Sequence, residues 1–115
     1  MEELDVNNYL VQENLFDLFK RQLKKDFSSC SLDTEFTNEL PIDMEPLKAT
    51  IQGELQPLLK NGSQLSALLY RIDISEIEIK KYAAKNKDLS FEEVLSELII
   101  KRILQKVILK KRFSQ

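Results

Sequence analysis

The chain has 115 residues, 43% of them hydrophobic and 31% charged, the composition of a soluble globular domain long enough to bury a core unaided. One cysteine, Cys30, excludes an intramolecular disulfide and a paired-cysteine metal site, and the absence of histidine removes the commonest general base and metal ligand together. Two glycines and three prolines leave few places to turn, so the elements must be few and long, which favours helices over many short strands.

The net charge of −2 is unevenly spread. Residues 1–70 carry 6 basic and 12 acidic side chains, net −6, whereas residues 71–115 carry 11 basic and 7 acidic, net +4. Such asymmetry fits an anionic partner or attraction between two halves of one fold. Met1 to Asp5 is acidic with no apolar run behind it, so the expectation is a cytoplasmic protein with neither signal peptide nor transmembrane segment.

The first helix is expected over about residues 6–26. Val11, Leu15, Leu18, Phe19 and Leu23 form one apolar stripe, widened by Phe16 and Phe27, while Glu13, Asp17, Lys20, Arg21 and Lys24 occupy the other side. The lysines at its end suit the negative end of the helix dipole. Residues 28–41 are mostly polar, with isolated Cys30, Leu32 and Phe36, and read as a long loop crossing between the first two helices.

A second helix is expected over residues 44–60, with Asp43 as N-cap and Pro46 in the first turn, where a missing N–H is no loss. Met44, Leu47, Ile51, Leu55 and Leu58 would face the core. Pro57 should kink or break the helix by removing the bond to the Gly53 carbonyl, and Asn61-Gly62 should end it. Ser63 is then placed to cap a third helix over residues 64–85, lined by Leu65, Leu68, Leu69, Ile72, Ile79, Tyr82 and Ala83. Ser75 and Glu78 form a second capping box, so a break near residues 73–75 is an alternative, and the alternation around Ile72-Asp73-Ile74 also permits short strands.

The last helix, over residues 91–112, has concordant signals. Ser90 and Glu93 form a capping box, Leu89 can staple onto Val94, and Lys110, Lys111 and Arg112 sit at the negative end of the dipole. Its apolar residues fall into two stripes. Phe91, Val94, Leu95, Leu98 and Ile99 make the first, and Ile100, Ile103, Leu104, Val107 and Ile108 repeat the same spacing nine positions later. Nine residues at about 100° each is two and a half turns, so the second stripe points away from the first. Lys101, Arg102, Lys106, Lys110, Lys111 and Arg112 add six cations in twelve residues with no acid among them.

No spacing of residues suggests catalysis, a metal or a cofactor. The adjacent acids Glu92/Glu93 and the nearby Glu76/Glu78 have local electrostatic roles, and Cys30 has no neighbouring base. Tyr70, Arg71 and Asp73 form a dense polar cluster that suits either an interface anchor or a local ion pair. The expected fold is an all-α, four- to five-helix bundle forming one domain over residues 1–115. The expected function is a non-enzymatic protein–protein interaction module that self-associates as a homodimer through Ile100, Ile103, Leu104, Val107 and Ile108. The alternative is a nucleic-acid accessory protein that contacts phosphates through Lys101, Arg102, Lys106, Lys110, Lys111 and Arg112. The bland reading of those cations is a solvated helix face, and of the second stripe, more core.

Overall fold

A computed structural model describes residues 15–113, which form five α-helices and one turn of 3₁₀-helix, with no strand among the described residues. Helix α1, Leu15–Ser29, buries Leu15, Phe19, Leu23 and Phe27 at four-residue spacing, the single stripe its sequence shows. Residues 6–14 of the expected first helix lie outside the described residues. The helix runs three residues beyond its expected end at residue 26. It closes where Ser31 adopts a left-handed backbone (φ 59) and the Leu32 and Ser31 N–H groups bond the Phe27 and Ser28 carbonyls at 3.1 and 3.0 Å.

The long crossing between the first two helices is anchored at several points. Glu35–Glu39 forms the 3₁₀ turn, and Phe36 meets Phe27 edge-on with ring centroids 5.0 Å apart. Leu40 is buried, and the isolated apolar residues Cys30 and Leu32 are partly buried against the core.

Helix α2, Met44–Leu59, buries Leu47, Ile51, Leu55 and Leu58. Asp43 holds the N-cap position through its backbone, its carbonyl accepting from Leu47 N–H at 2.9 Å, but its side chain makes no capping bond. Pro57 does not break the helix, which continues to Leu59. Its missing N–H falls in the last turn and Pro57 is exposed, so one bond is lost where few remain to be made. Asn61 then starts the next helix instead of ending this one: its side chain accepts from Gln64 N–H, displacing the expected Ser63 cap, and Ser63 hydroxyl donates to Asn61.

The third segment is two helices. Helix α3, Gly62–Ile72, ends at Asp73, which takes the left-handed conformation (φ 77) while the Ile74 N–H reaches back to the Leu69 carbonyl at 2.9 Å. Helix α4, Glu76–Lys85, begins with Ser75 accepting from Glu78 N–H at 3.1 Å, so the second capping box marks a real start. No residue of α4 is fully buried, although Ile79, Tyr82 and Ala83 pack partly against the core.

Helix α5, Phe91–Phe113, opens with the reciprocal box. Ser90 hydroxyl accepts from Glu93 N–H at 3.2 Å, and Glu93 carboxylate accepts from Ser90 N–H at 3.1 Å. Side-chain pairs fix its neighbours' directions. Gln22 and Asp26 of α1 meet Lys110 and Lys106, Lys48 and Gln56 of α2 meet Glu97 and Glu92, and Asp73 and Tyr82 flanking and within α4 meet Arg102 and Glu97. Helices α1, α2 and α4 therefore all run antiparallel to α5, while α3 packs against α1, α2 and α5. The architecture is an all-α bundle with α5 as its axis.

Candidate functional site

Both stripes of α5 lie in the chain's own core. Val94, Leu95, Leu98 and Ile99 are buried, and so are Ile100, Ile103, Leu104 and Val107, while Ile108 packs partly against them. The second stripe is therefore not the expected self-association surface of the folded chain. Helix α1 meets the C-terminal half of α5 and α2 the N-terminal half, so different lengths of one helix are covered by two neighbours.

The six expected anion contacts divide in the same way. Lys101 ammonium sits 4.8 Å above the Tyr82 ring, Arg102 pairs with Asp73 at 2.7 Å and donates to Gln105 at 3.1 Å, and Lys106 bonds Asp26 at 2.9 Å. These three cations are held by the fold. Lys110 donates to Gln22 at 2.6 Å and is exposed beside Lys111 and Arg112.

Asp26 explains much of this arrangement. Its carboxylate is 1% exposed and accepts from Lys106, from Arg71 Nε at 3.3 Å and from Gln22 at 3.0 Å, joining α1, α3 and α5 at one point. A buried carboxylate without such partners would be prohibitively desolvated. Arg71 thus reaches Asp26 and Asp73 reaches Arg102, so the local Arg71–Asp73 pair is not made, and Tyr70 stands 88% exposed.

A second polar cluster joins α2, α4 and α5. Lys48 bonds Glu97 at 2.9 Å and lies 3.6 Å from Glu93, and Tyr82 hydroxyl donates to Glu97. The bond to Glu97 holds the Lys48 ammonium above its ordinary range despite the opposing effect of burial. Among the described residues, four of the five ion pairs link residues 1–70 with residues 71–115, so the charge asymmetry of the sequence is partly spent inside the molecule.

What remains open is a groove of about 530 Å³ between α1 and the end of α5. Leu18 and Val107 contribute its apolar surface, Arg21 and Lys25 one wall, and Lys110 and Lys111 the other. The four-residue step from Arg21 to Lys25 puts both on one face of α1, roughly 6 Å apart along the axis. Lys20, Arg21 and Lys24 share a second hollow with the acidic Asp17 and with Thr37 and Asn38. A smaller cleft between α4 and α5 is lined by Tyr82, Lys101 and Arg102, which already hold one another or Asp73.

Reading the sequence alone missed Arg21 and Lys25, which look like ordinary solvated residues of a one-faced helix. A signal was present in the basic pairs Lys24-Lys25 and Lys110-Lys111, and the antiparallel register set by Gln22–Lys110 and Asp26–Lys106 brings Arg21 and Lys25 to the same groove as Lys110 and Lys111. Chemically, the groove offers cations and apolar carbon. No group of acidic residues and cysteine among the described residues is arranged to hold a metal ion. Burial pushes the Cys30 thiol up, against the smaller lowering effect of Arg71, which keeps it in its unreactive form. Among the described residues, no helix is long and apolar enough to cross a membrane. No family model, curated protein or solved structure matches the chain.

Proposed function

We propose that this chain is a non-enzymatic helical module that binds another protein, and that its docking surface is the groove between α1 and α5. The observation that carries the reading is the combination in one concavity of Leu18, and the 3% of Val107 that reaches the surface, with four basic residues, Arg21, Lys25, Lys110 and Lys111. Protein interfaces are built from an apolar centre with a polar rim, and this groove has that composition. A homodimer through Ile100, Ile103, Leu104 and Val107 does not enter the proposal, because exposing those side chains would mean opening the core.

The clustered cations also favour a second reading, attachment to nucleic acid through phosphates. It is weaker, since Lys101, Arg102 and Lys106 are engaged within the fold and no aromatic residue lines the groove to stack on bases. A photo-crosslinking amino acid placed at Lys25 or Lys111 in the cell that makes the protein separates the two. The expected result is one discrete protein adduct, absent when the same group replaces Lys60 at the end of α2. Adducts with nucleic acid, or identical adducts from both places, overturn the proposal.

A further inference from the structure

We infer that the turn over residues 73–75 is a hinge: when it straightens, α3 and α4 fuse into one helix, and two copies of the chain exchange α4 and α5 to form a two-fold dimer. The exchange is independent of the groove and of what docks there.

Two conformations compete at the hinge. In the folded chain Asp73 is held in the left-handed region (φ 77, ψ 53), which a residue with a side chain enters at a cost, and Ser75 is extended (φ −89, ψ 159). The sequence keeps a helical period through the break. Leu65, Leu68, Leu69 and Ile72 of α3 and Ile79, Tyr82 and Ala83 of α4 fall on one face of a single straight helix, because Ile72 and Ile79 are about two turns apart.

Straightening also gathers side chains that the folded chain leaves bare. Tyr70 and Ile77 are 88% and 66% exposed, the two most exposed large apolar side chains among the described residues, and they flank the break. On a straight helix Tyr70, Ile74 and Ile77 stand at i, i+4 and i+7 and make one apolar seam. A seam of this kind pairs with its own copy across a two-fold axis, Tyr70 of one copy against Ile77 of the other.

The occupant is a second copy because the two surfaces released are complementary. Straightening parts α5, with α4 packed on it, from α1, α2 and α3. The contacts broken include Lys48 with Glu97 and Glu93, Asp26 with Lys106, Gln22 with Lys110, and the core around Ile99 and Ile103. Residues 1–70 carry net −6 and residues 71–115 net +4, so the first part of one chain attracts the second part of another. Exchange remakes these contacts between copies and leaves both stripes of α5 buried. The Asp73–Arg102 pair sits at the hinge itself, and with Asp73 76% exposed it adds little to the closed form. Short hinges under strain are where such exchange occurs.

The test refolds the whole chain from urea at low and at high protein concentration and measures molar mass by size exclusion with light scattering. The dimer fraction should rise with concentration during refolding. Each dimer contains two hinges, so a change there acts twice. Asp73→Ala disfavours the left-handed turn and favours helix by about tenfold per hinge, and should tighten dimerisation about a hundredfold. Asp73→Gly, at home in the turn and poor in a helix, should weaken it by about the same factor. Glu76→Pro suits the first position of α4 and the extended Ser75 before it but breaks a continuous helix, so it should leave a folded monomer and no dimer. Tyr70→Ser with Ile77→Ser should weaken dimerisation about tenfold or more without changing thermal unfolding of the monomer, where both side chains are exposed. In a dimer refolded from mixed isotope-labelled and unlabelled chains, filtered NOEs should run from Gln22 of one copy to Lys110 of the other.

Wild type and Asp73→Ala that both stay monomeric at every concentration overturn the inference. So does a dimer that survives Glu76→Pro or the seam variant, or one whose Gln22–Lys110 NOEs stay within a chain, the mark of side-by-side association.

Discussion

Replacing Ile103 with alanine removes three carbons from a side chain that is 0% exposed on the axial helix. At about 0.8 kcal/mol per buried methylene the lost transfer energy is near 2.4 kcal/mol, and the cavity left between α5 and its neighbours raises the cost to about 3–4 kcal/mol. Unfolding entropy near 2.1 cal/mol/K per residue gives about 0.24 kcal/mol/K for a chain of 115 residues, so Tm should fall by roughly 12–16 °C. Urea denaturation followed by circular dichroism measures the energy, with light-scattering molar mass recorded on the same samples. Leu109→Ala is the control: Leu109 is 47% exposed on the same helix, so its loss should cost under about 0.5 kcal/mol. A loss below about 1 kcal/mol for Ile103→Ala, accompanied by a fall in molar mass, would refute the placement of the second stripe in the monomer core and restore it as an interface.

Lys106→Ala strands the Asp26 carboxylate with Arg71 and Gln22 alone, which should cost about 3 kcal/mol in urea. The apolar double variant Asp26→Leu, Lys106→Met should cost less than that single change, and a larger cost would argue that the cluster itself drives folding. Ser31→Gly relieves a left-handed non-glycine residue and should raise stability by about 0.5–1 kcal/mol, seen as a Tm increase of a few degrees. The Ser90 backbone N–H holds the Glu93 carboxyl below its ordinary value of 4.5, so its stabilising effect is present above that pH and disappears as pH falls through the lower folded value. Glu93→Ala should therefore unfold at lower temperature than the wild type at neutral pH, with the gap closing under about pH 4; a gap that persists in acid would mean the carboxylate charge is not what matters.

The local signals in the sequence were sufficient where the physics is local. The Ser90/Glu93 and Ser75/Glu78 boxes each satisfy backbone N–H groups within one turn, so they locate the starts of α5 and α4 without knowledge of the rest of the chain. Asn61 took the cap expected of Ser63 because the choice between two capping residues separated only by Gly62 depends on which backbone turns extended, a difference of two residues. The stripe from Ile100 to Ile108 was legible as apolar, but whether another molecule or α1 covers it is decided by packing over long sequence distances. The same holds for charge. Lys106 and Asp26 are 80 residues apart, so in a run that reads as a free basic face Lys101, Arg102, Lys106 and Lys110 are all engaged within the fold, while Arg21 and Lys25 from the first helix line the same groove as Lys110 and Lys111.

The axial position of α5 bears on how the chain is made. A ribosome releases α1 to α4 before the helix against which all four pack, so Phe19, Leu23, Leu47 and Ile51 leave the exit tunnel with their principal partner still untranslated. Native assembly waits for the end of α5, because the α1 contacts at Lys106 and Lys110 lie in its last two turns. Until then the nascent chain carries its future interior as exposed apolar surface, the condition under which partly made chains associate with one another.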